Sequence, residues 1–150
     1  MPHTPGRRSI LAGLAALPGM SLVGPGPALA DNARPMNARV VMSGHSLTDP
    51  IEQPLITLVR AVGGAQSQGM VIDRSSVPGS TMKYRWQPEI DLPIDAKRDI
   101  AAYDVLVVTE RVPVRSAMAW EDSADYALKW FNHAWANGNA GRGAETVFYA

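Results

Sequence analysis

Short runs of apolar, β-branched residues alternate along this chain with segments of helical periodicity. The predicted strands are 38–42, 69–73, 103–109 and 145–150, and the predicted helices are 50–63, 95–103 and 120–137. Strands that are apolar throughout are typical of a parallel sheet that is buried on both faces. Strand–helix–strand units of this length form right-handed crossovers in such sheets. The sequence therefore predicts a three-layer α/β/α domain around a parallel sheet.

The two longer predicted helices differ in how clearly their ends are marked. Residues 50–63 follow Thr48 and Asp49, either of which can cap a helix, and they end at Gly63–Gly64. Residues 120–137 form an amphipathic pattern that ends at Asn137–Gly138. Its side chains available for packing are Tyr126, Leu128, Trp130, Phe131, Ala134 and Trp135. The predicted loop 74–93 is long enough to suggest a functional role.

The first thirty residues have the pattern of an export signal. Arg7 and Arg8 precede an apolar stretch at 10–23, and Ala28-Leu29-Ala30 forms a small-x-small processing site. Adjacent arginines are typical of twin-arginine signals. The alternative, a membrane anchor, is disfavoured because glycines and prolines interrupt a stretch shorter than the roughly 20 apolar residues of a span. We expect residues 1–30 to be cleaved, leaving a bacterial periplasmic or secreted protein with no stable membrane span.

Charge and cysteine content exclude several classes of function. The 14 basic and 14 acidic side chains are scattered, and removing residues 1–30 takes away two arginines and no acid, which leaves a net charge of −2. A nucleic-acid partner is not expected, because binding it needs a basic stripe. The chain has no cysteine, so disulfides and thiolate chemistry are excluded. No His, Asp or Glu spacing fits a metal site, and we predict neither a metal nor a cofactor.

Residues 40–49 place Ser46 in a tight turn directly after the first predicted strand. Open α/β sheets carry their chemistry at the carboxyl ends of the strands. Ser46 is therefore a candidate nucleophile. The same Gly/Ser pattern also suits a turn that only leads into the next helix, so both interpretations stay open.

Three loops carry a resemblance to a known family. Ser43-Gly44-His45-Ser46-Leu47-Thr48 resembles the first block of the SGNH, or GDSL-type, hydrolases, with His45 where aspartate is commonest. Residues 77–81 resemble the second block, so Gly79 is the implied oxyanion donor. Residues 109–111 fall where the third block carries Gly-x-Asn-Asp but do not match it. The fourth block, Asp-x-x-His, is absent from the 150 residues.

The resemblance implies a flavodoxin-like or SGNH-type fold for residues 31–150 that is incomplete at the fourth strand. It also implies that Ser46 is the nucleophile. A serine needs a base to attack an ester at neutral pH. The missing fourth block therefore predicts no appreciable turnover from these 150 residues.

Two further residues are candidates for binding substrate. His45 is either an unusual base or substrate contact, or a turn residue that makes local hydrogen bonds. Glu110 follows the third strand and could bind a sugar hydroxyl or an amine. Equally, it could pair with Arg111 or Arg85.

Two functions remain open on the sequence. The first is an exported SGNH-like serine hydrolase, an esterase or carbohydrate deacetylase, whose substrate is a small-molecule ester or an acylated carbohydrate. The alternative is a noncatalytic periplasmic ligand-binding or interaction domain of the same α/β architecture.

Overall fold

The computed structural model describes residues 36–88 and 90–149, so the predicted export signal lies outside the described residues. The strands are β1 Arg39–Gly44, β2 Val71–Ser76, β3 Val105–Thr109 and β4 Glu145–Tyr149. They form one sheet in the order β2-β1-β3-β4, and every pairing is parallel. The prediction of an α/β domain with a parallel sheet is confirmed.

Four α-helices connect these strands. They are α1 Glu52–Gly63, α2 Met82–Arg85, α3 Val114–Trp120 and α4 Ser123–Gly141. Short 3₁₀ turns lie at Asp49–Ile51, Gly64–Ser67 and Ile100–Ala102. Within the described ranges, no helix is both long and apolar enough to cross a membrane.

The largest departures from the predicted boundaries lie in three parts of the chain. β2 continues to Ser76, and α2 lies inside the predicted loop 74–93. The predicted helix 95–103 is only the 3₁₀ turn Ile100–Ala102. The predicted helix 120–137 is preceded by a separate helix, because Asp122 adopts a left-handed conformation (φ 52°) between α3 and α4. Regular helical geometry in α4 does end at Asn137, since Gly138, Asn139 and Ala140 leave it.

Apolar side chains pack on both faces of the sheet, because successive residues of a strand point to opposite faces. Val40, Met42 and Ile72 pack with Leu55 and Ile56 of α1. On the other face, Val41, Leu106 and Val108 belong to a cluster that includes Trp130 and Ala134 of α4. Helices thus lie on both faces, as a three-layer arrangement requires.

The prediction of which α4 side chains pack in the core is only partly correct. Trp130 and Ala134 are buried, and Tyr126 packs against their cluster. Leu128, Phe131 and Trp135 are 58%, 44% and 68% exposed. The apolar residues of α4 cover more than one helix face, and the sheet buries only one of them.

Candidate active site

The strand order places the end of β1 at a change of direction in the fold. From β1 the chain crosses to β2 on one side and later returns to β3 on the other. The loops after β1 and β3 therefore separate at the carboxyl edge, where open α/β folds bind ligands. A hydrogen bond of 3.1 Å between His45 Nε2 and the Glu110 carbonyl oxygen joins these two loops.

Ser46 lies exposed in the turn that follows β1. The Thr48 N–H donates to the His45 carbonyl (2.7 Å), and the His45 N–H donates to Thr48 Oγ1 (3.3 Å). Thr48 Oγ1 also accepts from the Tyr149 hydroxyl at the end of β4 (3.0 Å). The turn is thus held by buried groups, while the Ser46 hydroxyl makes no hydrogen bond to residues 36–88 or 90–149.

Gly79 occupies a turn that starts beside the Ser46 loop. The Val77 N–H donates to the Gly44 carbonyl (3.1 Å), which continues the pairing of β1 with β2. The Ser80 N–H donates to the Val77 carbonyl (3.2 Å), and Gly79 has a φ of +66°. Pro78 followed by glycine with positive φ is the pattern of a type II turn. Ser46 and Gly79 therefore follow neighbouring strand ends.

His45 is buried, 4% exposed, and both of its ring nitrogens have partners. Nδ1 accepts from the Leu47 N–H (3.4 Å). Nε2 therefore carries the hydrogen that is donated to the Glu110 carbonyl oxygen. These contacts correspond to the local hydrogen-bonding interpretation of His45, and they leave no ring nitrogen to accept a proton from Ser46.

His133 lies on α4, away from the Ser46 turn. Its Nε2 is 2.7 Å from the Lys97 carbonyl, and Asn137 Nδ2 lies 3.1 Å from its Nδ1. Neither described histidine forms a hydrogen bond with Ser46. In the described part of the chain, no group of three or more His, Cys, Asp or Glu side chains could hold a metal ion.

The Glu110 carboxylate is 5% exposed and is used within the protein. Oε1 accepts from the main-chain N–H groups of Met82 (3.2 Å) and Arg111 (2.7 Å). Oε2 accepts from the Ser123 hydroxyl (2.6 Å) at the start of α4. Glu110 thus links three segments around the site. Its interaction with Arg111 is through the main chain, since the Arg111 guanidinium pairs with Glu121 (3.4 Å).

Arg85, at the end of α2, is not among the site residues that the sequence predicts. It is 3% exposed and contacts three segments of the carboxyl edge. Nε donates to Ser43 Oγ (3.1 Å), and Nη1 donates to the carbonyl and the hydroxyl of Ser80 (2.9 Å each). Nη2 donates to the Thr109 carbonyl. Burial lowers the pKa of the guanidinium to about 10, against the attraction of the Glu110 carboxylate, so Arg85 is a cation at neutral pH.

The spacing between Thr81, which can cap a helix, and Arg85 indicates that the Arg85 side chain lies on the buried face of α2. Thr81 caps α2 by accepting from the Tyr84 N–H (3.0 Å). A helix beginning there places residues 82, 85 and 86 on one face, because side chains three and four apart are neighbours. Met82 and Arg85 are buried and Trp86 is half-buried.

Two cavities border the site. A cleft of about 360 Å³ beside Gly79 is lined by polar groups and the Tyr84 ring, with Arg111 and Glu121 on one side. A smaller cavity of about 290 Å³ lies beside Glu110 and is mostly apolar, with Met118 and Phe148 in its walls. Ser46 lines neither of these two cavities.

No protein-family model, curated protein sequence or solved structure matches this chain.

Proposed function

We propose that this protein is an exported SGNH-like serine hydrolase of the esterase or carbohydrate deacetylase class, with Ser46 as nucleophile. The single observation that carries the proposal is the position of the Ser46 hydroxyl. Ser46 is exposed in a turn held by buried hydrogen bonds, directly after a central parallel strand. The strand order 2-1-3-4 is also that of flavodoxin-like sheets, whose ligands bind at the β1/β3 change of direction.

Two main-chain N–H groups support an acyl-transfer site. In the described ranges, neither the Ser46 N–H nor the Gly79 N–H donates a hydrogen bond to another protein group. Attack of Ser46 Oγ on an ester carbonyl forms a tetrahedral intermediate with a negatively charged oxygen. Free N–H donors in the loops that follow two neighbouring strands are suited to stabilise that charge, which is the role of an oxyanion hole.

The Ser46 hydroxyl also needs a general base that accepts its proton. His45 and His133 use their ring nitrogens elsewhere, and a serine hydroxyl without a base is a weak nucleophile. The SGNH resemblance implies a histidine base, and we therefore propose that this base is a histidine outside the described residues. Imidazole added in solution can stand in for such a group, because it is the same chemical group as the histidine side chain.

The test is covalent labelling of the 150-residue chain with a fluorophosphonate probe in increasing concentrations of imidazole. We expect one labelled site, located at Ser46 by peptide mass spectrometry, with a rate that increases with imidazole. Ser46→Ala should abolish the label. Ser116→Ala, which changes a half-buried serine of α3, should leave it intact.

Labelling that persists in Ser46→Ala, or no labelling of the wild-type chain at any imidazole concentration, would show that Ser46 is not a nucleophile. The noncatalytic ligand-binding domain is then the interpretation to test. Titration of acylated and free sugars, followed by calorimetry, distinguishes a binding protein from one with no such ligand.

A further inference from the structure

We propose that Arg85 is a positioning residue that fixes the Ser46 turn relative to the Gly79 turn. The catalytic consequence rests on the proposed function of Ser46. The placement of the two turns can be measured independently. The proposal stands on four hydrogen bonds from one buried side chain to three segments that lie far apart in sequence.

The Arg85 guanidinium joins three segments of the candidate site. Ser43 belongs to β1 and precedes the nucleophile candidate by three residues, and Ser80 directly follows Gly79. Thr109 is the last residue of β3. Arg85 therefore contacts the chain immediately before or after each loop of the candidate site.

The shape of the Arg85 guanidinium fixes the directions of its hydrogen bonds. A guanidinium is planar, and its five N–H groups point in fixed directions. Its three nitrogens make four hydrogen bonds to Ser43, Ser80 and Thr109, so the three segments are held in one geometry. A lysine ammonium carries a single donor centre on a flexible stem and cannot reproduce this fork.

The Gly79 turn is attached to Arg85 through Ser80. Arg85 Nη1 donates to both the carbonyl and the hydroxyl of Ser80, and the Ser80 hydroxyl donates to the Val77 carbonyl (2.7 Å). The turn is thus closed by its own hydrogen bond and attached to the guanidinium at its last residue. The direction of the Gly79 N–H depends on this attachment, because the glycine alone leaves its backbone free to rotate.

Burying the Arg85 guanidinium, a cation, has a cost in free energy. Among the described residues, no carboxylate forms a salt bridge with Arg85, and four neutral oxygens accept its hydrogen bonds. A well-packed apolar side chain is often at least as stabilising as a buried charge. A geometric role explains why an arginine, with its directional donors, stands at this position.

The test compares Arg85→Lys with wild type in the imidazole-supported labelling of Ser46. The stoichiometry of labelling measures the fraction of molecules that are folded. The rate constant of labelling depends on how Ser46 and the Gly79 turn are placed in those folded molecules. We expect retained stoichiometry and a rate about tenfold lower, since displacements below 1 Å at a reacting group have effects of this size. Arg98→Lys, an exposed arginine of the 90–99 segment, is the matched control and should change neither quantity.

A purely structural role gives a different result, namely lower stoichiometry with an unchanged rate constant, and it would overturn the proposal. If Arg85→Lys does not fold, Ser43→Ala takes its place, because it removes only the Nε contact. Its expected effect is about a threefold lower rate at full stoichiometry. An unchanged rate in Ser43→Ala would equally overturn the proposal.

Hydrogen exchange separates this proposal from the function of Ser46. In Arg85→Lys or Ser43→Ala we expect faster amide exchange at 44–48 and 77–81, with unchanged exchange in α1. This result supports the positioning role even if wild-type Ser46 is never labelled, in which case only the hydrolase function is wrong. Unchanged exchange in both turns, or a uniform increase that includes α1, would show that Arg85 does not position them.

Discussion

The Thr48 side chain lies directly over the α-carbon of Gly44. A Cβ added to Gly44 would overlap Thr48 Oγ1 and would lie 2.6 Å from Thr48 Cβ and 2.7 Å from Cγ2. Because Thr48 is held by His45 and Tyr149, it cannot move aside without breaking those hydrogen bonds. The close approach of residues 44 and 48 is what turns the chain sharply after β1.

Gly44→Ala is therefore expected to destabilise the protein by about 1–3 kcal/mol, the usual cost of overpacking a buried site. The free energy of unfolding is measured by urea denaturation followed by circular dichroism. Ser46→Ala, two residues later and exposed, is the control and should remain within about 0.5 kcal/mol of wild type. A Gly44→Ala midpoint equal to that of wild type would contradict this packing.

The sheet could be predicted from the sequence because its strands are nearly continuous apolar runs. β1 is buried after Arg39, and β3 is buried or half-buried along its length, so hydrophobicity alone locates both strands to within two residues at each end. β2 was placed too early, because its second half, Arg74-Ser75-Ser76, is polar. Those residues belong to the sheet because they pair with Met42, Ser43 and Gly44, which no local pattern reveals.

The candidate site could be predicted only in part. Ser46 and Gly79 follow strand ends, and the structure brings their loops to the same edge of the sheet. The distant partners of Glu110 and Arg85 could not be predicted, since Met82, Ser123, Ser43 and Thr109 lie 13 to 42 positions away and meet them only after folding. The functional roles of Ser46, Gly79, His45 and Glu110 stay predictions.

Glu110→Ala is expected to cost about 3–5 kcal/mol, because it leaves the main-chain N–H groups of Met82 and Arg111 and the Ser123 hydroxyl without their acceptor. It also removes the negative charge that attracts the Arg85 cation. Glu110→Gln is expected to cost less, about 1 kcal/mol. Its amide oxygen can still accept from Met82 and Arg111, and its NH₂ can donate to Ser123. Urea denaturation measures both variants.

A double-mutant cycle isolates the charge attraction between Glu110 and Arg85. In an Arg85→Met background, the loss caused by Glu110→Gln should shrink, because no buried cation remains to be neutralised. Glu121→Gln, which removes a partly exposed partner of Arg111, should cost less than about 1 kcal/mol. Additive effects in the cycle would show that the two buried groups do not interact.

Asp104 is expected to contribute to stability in a pH-dependent way. Burial alone would raise the pKa of its carboxyl group, but the Arg39 N–H (2.9 Å) and guanidinium (3.5 Å) hold that pKa below the ordinary value of 3.8. Because the folded pKa is the lower one, the contribution is fully present above about pH 4. It is lost as the pH falls below 3.8 through the folded pKa.

Asp104→Asn should therefore lower the free energy of unfolding by about 1 kcal/mol at pH 7. The difference from wild type should narrow as the pH falls from 4 towards 2, measured by thermal or urea unfolding at each pH. Arg39→Gln keeps the main-chain N–H and removes the guanidinium, so it should give an intermediate effect. A constant difference between wild type and Asp104→Asn at all pH values would contradict this linkage.

The tryptophans of α4 provide a comparison between a buried and an exposed side chain on one helix. Trp130 is 1% exposed, donates from Nε1 to the Met82 carbonyl (3.2 Å) and packs edge to face on Trp86 at 5.1 Å. Trp135 is 68% exposed and stacks on Phe131 at 6.4 Å. The same substitution should therefore have very different consequences at the two positions.

Trp130→Ala is expected to cost about 3–5 kcal/mol, and Trp135→Ala less than about 1 kcal/mol. Unfolding in urea measures both. Acrylamide quenching gives a second measurement, in which Trp135→Phe removes an accessible component of the fluorescence and Trp130→Phe removes a protected one. Equal destabilisation by the two alanine variants would mean that Trp135 packs as a core residue, and the face of α4 that contacts the sheet would then be assigned wrongly.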